Sequence, residues 1–155
     1  MTVNGREHAA VKIHPPFVWL GFTGAALLLH RIFPLATTSM EVRWLGVFVG
    51  LLGMLIAFLA VWRFFAARTT LHPHGSVSAL LTGGPYRFSR NPIYIGYVLA
   101  EVGLPLALGN LWGLTLALPF VLAMNRLVIQ PEEHYLRERF PIEYGEYSAR
   151  VRRWL

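Results

Sequence analysis

The chain has no cysteine and no aspartate among its 155 residues, and a single lysine. Without cysteine it forms no disulfide, offers no thiol nucleophile and holds no Cys-ligated zinc or iron–sulfur centre. Charge is scarce: 14% of residues are charged, where an average soluble protein has about 25%. Hydrophobic residues make up 55%, and the mean hydropathy is +0.47. So few charges cannot coat a soluble globule, which argues against an ordinary cytosolic enzyme. The 14 cations and 8 acids leave a net charge of +6, and 13 of the cations are arginines. These stand between long apolar runs, so their expected partner is an anionic membrane surface and not nucleic acid. The reading is a small, all-α integral membrane protein.

Four transmembrane helices are expected, at 17–36, 44–63, 92–108 and 111–130, within a single membrane domain covering 1–155. The first is broken near its end by His30, Arg31 and Pro34, whereas Trp44 to Trp62 carries no charge at all. Gly109-Asn110 reads as a tight turn joining the third and fourth helices into a hairpin. Glu7, Pro15-Pro16 and Arg31 argue against a cleaved signal peptide in the first run. Four crossings put the N-terminus, a loop at 64–91 and a C-terminal region at 131–155 on one side. That side receives Arg6, Lys12, Arg63, Arg68, Arg87, Arg90, Arg126, Arg137, Arg139, Arg150, Arg152 and Arg153, and the other side only Arg31 and Arg43. The basic side is expected to be cytoplasmic, in a plasma (inner) membrane.

Gly46 and Gly50, with Gly53 beyond them, let a neighbouring helix approach closely and would permit a homodimer. Past Pro131 the composition turns polar. Phe140, Tyr144, Tyr147, Val151 and Trp154 recur at helical spacing and mark an aromatic helix face. That face either lies at the membrane interface or docks on the protein's own cytoplasmic loop.

The polar chemistry gathers on the same side. The loop runs directly into Asn91-Pro92, an N-cap followed by a proline suited to the first helical position. The helix start alone accounts for these residues. Its free amides, notably those of Ile93 and Tyr94, together with Arg87 and Arg90, also make a place for a carboxylate or phosphate. Gly83, Gly84 and Gly96 offer backbone that a ligand can approach. At the end of the fourth helix Glu132-Glu133 supply the opposite charge, as dipole-compensating residues of a new helix after Pro131 or as ligand-binding carboxylates.

GGPYRFSRNPIYIGY, followed some 35 residues later by PEEHYLRERFPIEYGEY, resembles the signature of the isoprenylcysteine carboxyl methyltransferase and phospholipid N-methyltransferase superfamily. The resemblance covers roughly residues 69–155. It implies an integral membrane enzyme that uses S-adenosylmethionine, yields S-adenosylhomocysteine and acts on a lipid or lipophilic small molecule. It also implies a cofactor held by the cytoplasmic loop, the start of the third helix and the acidic pair. By position, Gly84, Pro85 and Tyr86 match the family's G-P-Y element. Arg90, Asn91, Pro92, Tyr94 and Gly96 match R-H-P-x-Y-x-G, and Glu132-Glu133 match E-E. Asn91 stands where histidine is usual and does not titrate near neutral pH, so positioning is expected of it and not proton transfer. Tyr86, Tyr94 or Tyr135 is expected beside the adenine or the sulfonium.

Two deeper charges are further candidates. Glu101, ten residues into the third helix, would bind a basic substrate group, act as a base, or pair with His30 or an arginine. Arg126, seven residues before Glu133, would orient that glutamate or an acidic substrate group, or else snorkel at the interface. His72 and His74 have no third ligand nearby, so no metal is expected. Two other functions compete: a small four-helix cation exporter using Glu101, and a non-catalytic membrane scaffold.

Overall fold

Pro15-Pro16, Pro92 and Pro141 each fall at the start of a helix, where a missing N–H costs no hydrogen bond. The computed structural model describes residues 13–35, 38–66 and 80–155, the side chain of Phe64 excepted. Within these the protein is all-helical: α1 (Pro15–Ile32), α2 (Met40–Ala66), a 3-10 turn (Gly84–Arg87), α3 (Pro92–Ala107), α4 (Trp112–Met124), a π turn (Asn125–Ile129), α5 (Gln130–Arg139) and α6 (Pro141–Arg150). Arg6, Lys12, Arg68, His72 and His74 lie outside the described residues, as does the loop over 67–79.

Among the described residues two helical runs are long and apolar enough to cross a bilayer: Met40–Arg63 and Trp112–Arg139. The other two expected spans are shorter or less apolar. α3 has 16 residues, about 24 Å against a ~30 Å hydrocarbon core. α1 stops at Ile32, short of the expected 36, and its prolines and His30-Arg31 dilute its apolar character.

The strongest packing is between α2 and α3. A Cβ on Gly53 would lie 2.7 Å from the carbonyl oxygen of Gly96, and one on Gly96 would lie 2.6 Å from that of Gly53. Gly46 and Gly50 meet Gly103 and its neighbours in the same way. Backbone thus touches backbone along the seam, and the glycine face that would permit a homodimer is occupied within the chain. The opposite face of α2 leaves Trp44, Phe48, Leu51, Met54, Phe58 and Trp62 exposed, as a lipid-facing helix does. The hairpin turn forms where expected. Gly109 takes φ +81°, Asn110 N–H donates to Pro105 O at 2.9 Å, and the Asn110 amide donates to Ala26 O at 2.9 Å, tying α1 to the turn.

Two expectations at the C-terminal end change, and one left open is settled. α4, the π turn and α5 form one continuous rod, with no new helix at Pro131. The wider π turn ends at Ile129, just before Gln130-Pro131, with Gln130 N–H donating to Asn125 O, so the missing N–H of Pro131 falls just past the widened turn. The chain does break at Pro141, and α6 folds back. α6 ends at Arg150, and Val151 is extended (φ −118°, ψ 128°), so the tail is a strap and not a further helical turn. The aromatic face of α6 docks on the protein itself, with Tyr144 and Tyr147 buried. The core joins Val18, Tyr94, Phe120, Met124, Val128, Ile129 and Tyr135, and Trp154 of the strap packs against it.

Candidate functional site

The folded hairpin sets the start of α3 beside α5. The rod containing α5 has 28 residues, about 42 Å. That is longer than a ~30 Å hydrocarbon core, and from Gln130 to Arg139 the rod turns mostly polar, with Tyr135 and Leu136 its only large apolar side chains. Within that part Glu132 and Glu133 turn to different partners.

Glu133, 4% exposed in its side chain, is the hub of a cationic cluster. Arg153 grips it with two hydrogen bonds, Nε to Oε1 at 3.0 Å and Nη2 to Oε2 at 2.7 Å. Arg90 approaches Oε1 and Arg137 approaches Oε2, each at 3.4 Å. Arg90 also donates to the Tyr144 hydroxyl at 3.3 Å, and its guanidinium lies over the Tyr144 ring. The hydrogen bond to Glu133 holds the Arg153 guanidinium above its ordinary pKa. Three guanidiniums thus surround one carboxylate, and Nε of Arg90 is buried without a partner.

Glu132 instead accepts the Tyr94 hydroxyl at 2.7 and 2.8 Å. Burial pushes its carboxyl up to about 7, and the Tyr94 hydrogen bond only partly opposes this. Tyr86, on the 3-10 turn, belongs to the same neighbourhood: burial first, then the nearby Tyr147 phenol and the Glu132 carboxylate, disfavour its phenolate and push its phenol up. Tyr147 donates to the Tyr86 carbonyl at 2.7 Å, fixing the turn against α6.

The strap closes the cluster. Arg90 N–H donates to Arg152 O at 3.0 Å. The Ser89 hydroxyl and the Asn91 amide donate to Arg153 O at 3.1 and 3.0 Å. This corrects the reading of Asn91 as a capping side chain. It occupies the N-cap position, but its side chain is spent on the strap and makes no cap hydrogen bond. The amide of Tyr94 is likewise committed, to Asn91 O at 3.0 Å. Charge for an anion therefore comes from guanidiniums more than from free helix amides.

Of the residues the sequence singles out, Tyr86, Arg90, Asn91, Tyr94, Glu132 and Glu133 come together, with Pro92 buried beneath them as the first residue of α3. Pro85 and Gly84 shape the adjoining turn, where Gly84 takes φ +64° and the Arg63 side chain packs against it. Tyr135 is buried in the apolar core beside Tyr94. Gly96 faces Gly53 and Ala57 of α2, so its small size serves helix packing. Arg126 is exposed, and among the described residues it forms no ion pair with Glu133; the π turn inserts an extra residue between them and rotates the seven-residue register. Glu101 is fully buried between α1 and α3. Its partner is the Thr23 hydroxyl at 2.5 Å, not His30 or an arginine, and its Oε1 has no partner. Arg153, Ser89 and Tyr144 were not legible as site residues, whereas Arg137 stands four residues after Glu133, a readable helix pair. Among the described residues no group of His, Asp or Glu is placed to hold a metal ion.

A family model described as phospholipid methyltransferase matches residues 42–143. The match takes in α2, which the sequence motifs do not reach. A probable protein-S-isoprenylcysteine O-methyltransferase of Oryza sativa subsp. indica is 29% identical over 136 residues, covering 81% of this chain and 69% of the relative. The protein-S-isoprenylcysteine O-methyltransferase B of Arabidopsis thaliana is 36% identical over 75 residues, 46% and 36% of the two chains. The cobalt-zinc-cadmium resistance protein CzcN of Cupriavidus metallidurans is 36% identical over 117 residues, 70% of this chain and 51% of the relative. No solved structure matches the chain significantly.

Proposed function

The chain belongs to the phospholipid methyltransferase family, and from that premise we propose that it transfers a methyl group from S-adenosylmethionine to a lipid or lipophilic small molecule. The observation that carries this reading is the meeting of the α3 start with the acidic pair, Arg90 on Glu133 and Tyr94 on Glu132. The residues suit the cofactor chemically. Its carboxylate matches the surplus of guanidinium charge and the unpartnered Nε of Arg90. Its ribose hydroxyls or ammonium match the Glu132 carboxylate, and its adenine or sulfonium matches the faces of Tyr86 and Tyr94. When bound, the cofactor supplies an activated methyl on sulfur. The protein's own task is then to hold that group in line with the acceptor and to keep water away. Glu133, locked by arginines, positions; Glu132 binds; Asn91 and Tyr147 hold the walls in place. The acceptor enters sideways from the bilayer, at the cytoplasmic face of the plasma (inner) membrane, where both termini lie.

Isothermal titration of the detergent-solubilised, folded protein with S-adenosylhomocysteine tests the reading. Saturable binding is expected, and none at millimolar ligand removes it.

Glu101 favours a second reading, a cation exporter, because a buried acid with an unpartnered oxygen is expensive in a membrane. Relatives named for metal resistance point the same way. An exporter loses transport in Glu101→Gln and binds no S-adenosylhomocysteine, whereas a methyltransferase keeps that affinity in the same variant.

A further inference from the structure

Arg153 stands two residues from the end of the described chain, outside every helix and outside the matched family region. Its side chain nevertheless takes the tightest position on Glu133. The backbone that carries it is fixed three times, by Arg90 N–H on Arg152 O and by Ser89 and Asn91 on Arg153 O. Trp154 anchors the same segment in the core. A tail that only had to be tidied away needs none of this.

The electrostatics go further. Arg90, Arg137 and Arg153 bring three positive charges to one carboxylate, with no second acid among their ion pairs within the described residues. Arg137 is 58% exposed and solvated, but Arg90 (13%) and Arg153 (34%) share that carboxylate from a partly buried place, which leaves one positive charge unbalanced, and Arg90 keeps a buried N–H with no acceptor. Partly buried cations of one sign repel one another unless an anion joins them. The arrangement lacks one acceptor-rich anion, and a carboxylate, with two oxygens for a guanidinium fork, meets that need.

We propose that Arg153, held by the C-terminal strap, is the residue that reads the amino-acid end of the cofactor: with Arg90 it binds the carboxylate while it positions Glu133. This rests on the methyltransferase reading and adds a binding residue that neither the motifs nor the family match contains. It also gives Asn91 a task. In place of a titrating side chain, the chain carries an amide that holds the strap by its backbone.

The test compares two ligands by isothermal titration. S-adenosylhomocysteine has the amino-acid end, whereas 5′-methylthioadenosine keeps the nucleoside and sulfur but lacks it. Arg153→Ala is expected to weaken S-adenosylhomocysteine at least tenfold and to leave 5′-methylthioadenosine unchanged. Arg153→Gln, which keeps a donor to Glu133 without the charge, gives the same comparison if the alanine variant does not fold. A strap that is only a strut loses affinity for both ligands equally; that result, or no change in either, overturns the proposal. A wild type that binds neither ligand overturns the methyltransferase reading itself, so the two failures are told apart.

Discussion

Glu132 and Glu133 are neighbours in sequence and opposites in environment. Glu133 faces three guanidiniums, whereas Glu132 faces a phenol and is pushed up to about 7 by burial. An acid whose folded value is raised is neutral below that value and pays to ionise above it. In the free protein this acid therefore favours the fold most below the ordinary carboxylate range, and loses that contribution as pH rises through about 7. Binding runs the other way, because hydroxyls and an ammonium group need the carboxylate. Affinity for S-adenosylhomocysteine is expected to rise between pH 6 and pH 8, by up to about tenfold since one pKa unit is tenfold. Glu132→Gln should flatten that rise, and titration calorimetry at the two pH values reads it directly. The sequence offers both carboxylates without distinguishing them. Only the fold shows that Tyr94 lies under one and Arg153 under the other, because Arg153 is 20 residues further along and reaches Glu133 through a strap where continued helix was expected.

Among the elements, α2 and α3 matter most, since α3 carries Arg90, Asn91 and Tyr94 at its start and is held by α2 along its length. The contact is backbone on backbone at Gly53 and Gly96, with no room for a side chain. Gly53→Val is expected to lower the thermal midpoint in detergent, by an overpacking cost of about 1–3 kcal/mol. It should also reduce cofactor affinity by displacing the α3 start, whereas Gly145→Ala, which meets nothing within 4 Å, should leave the midpoint close to wild type. The glycine spacing on α2, the Gly109-Asn110 turn and the start of α3 at Pro92 were legible because each has a local cause. The continuity through Pro131 was not, because a proline after an apolar run ordinarily announces a new helix, and a π turn leaves no mark in composition. The same extra residue turned Arg126 away from Glu133. Gly96 shows the converse: its position in a motif suggested backbone for a ligand, and its neighbours show backbone for a helix.

At the scale of the molecule, low charge, arginines crowded at one end and apolar runs of bilayer length specified a membrane protein before any motif was read. The order of the paired motifs then specified the family. The paired motifs also implied that the loop with the α3 start and the acidic pair on α5 would meet; what no local pattern could supply was that the last five residues close on both. That closure is the central claim, and methyl transfer tests it most directly. Membranes containing the protein are incubated with S-adenosylmethionine tritiated on its methyl group, and label is counted in the organic-solvent extract. Wild-type membranes should transfer label to lipophilic material, and membranes with Arg90→Ala, at equal protein, should transfer at least tenfold less. Label transferred equally by both would contradict the account, as would none from wild-type membranes supplied with their native lipids.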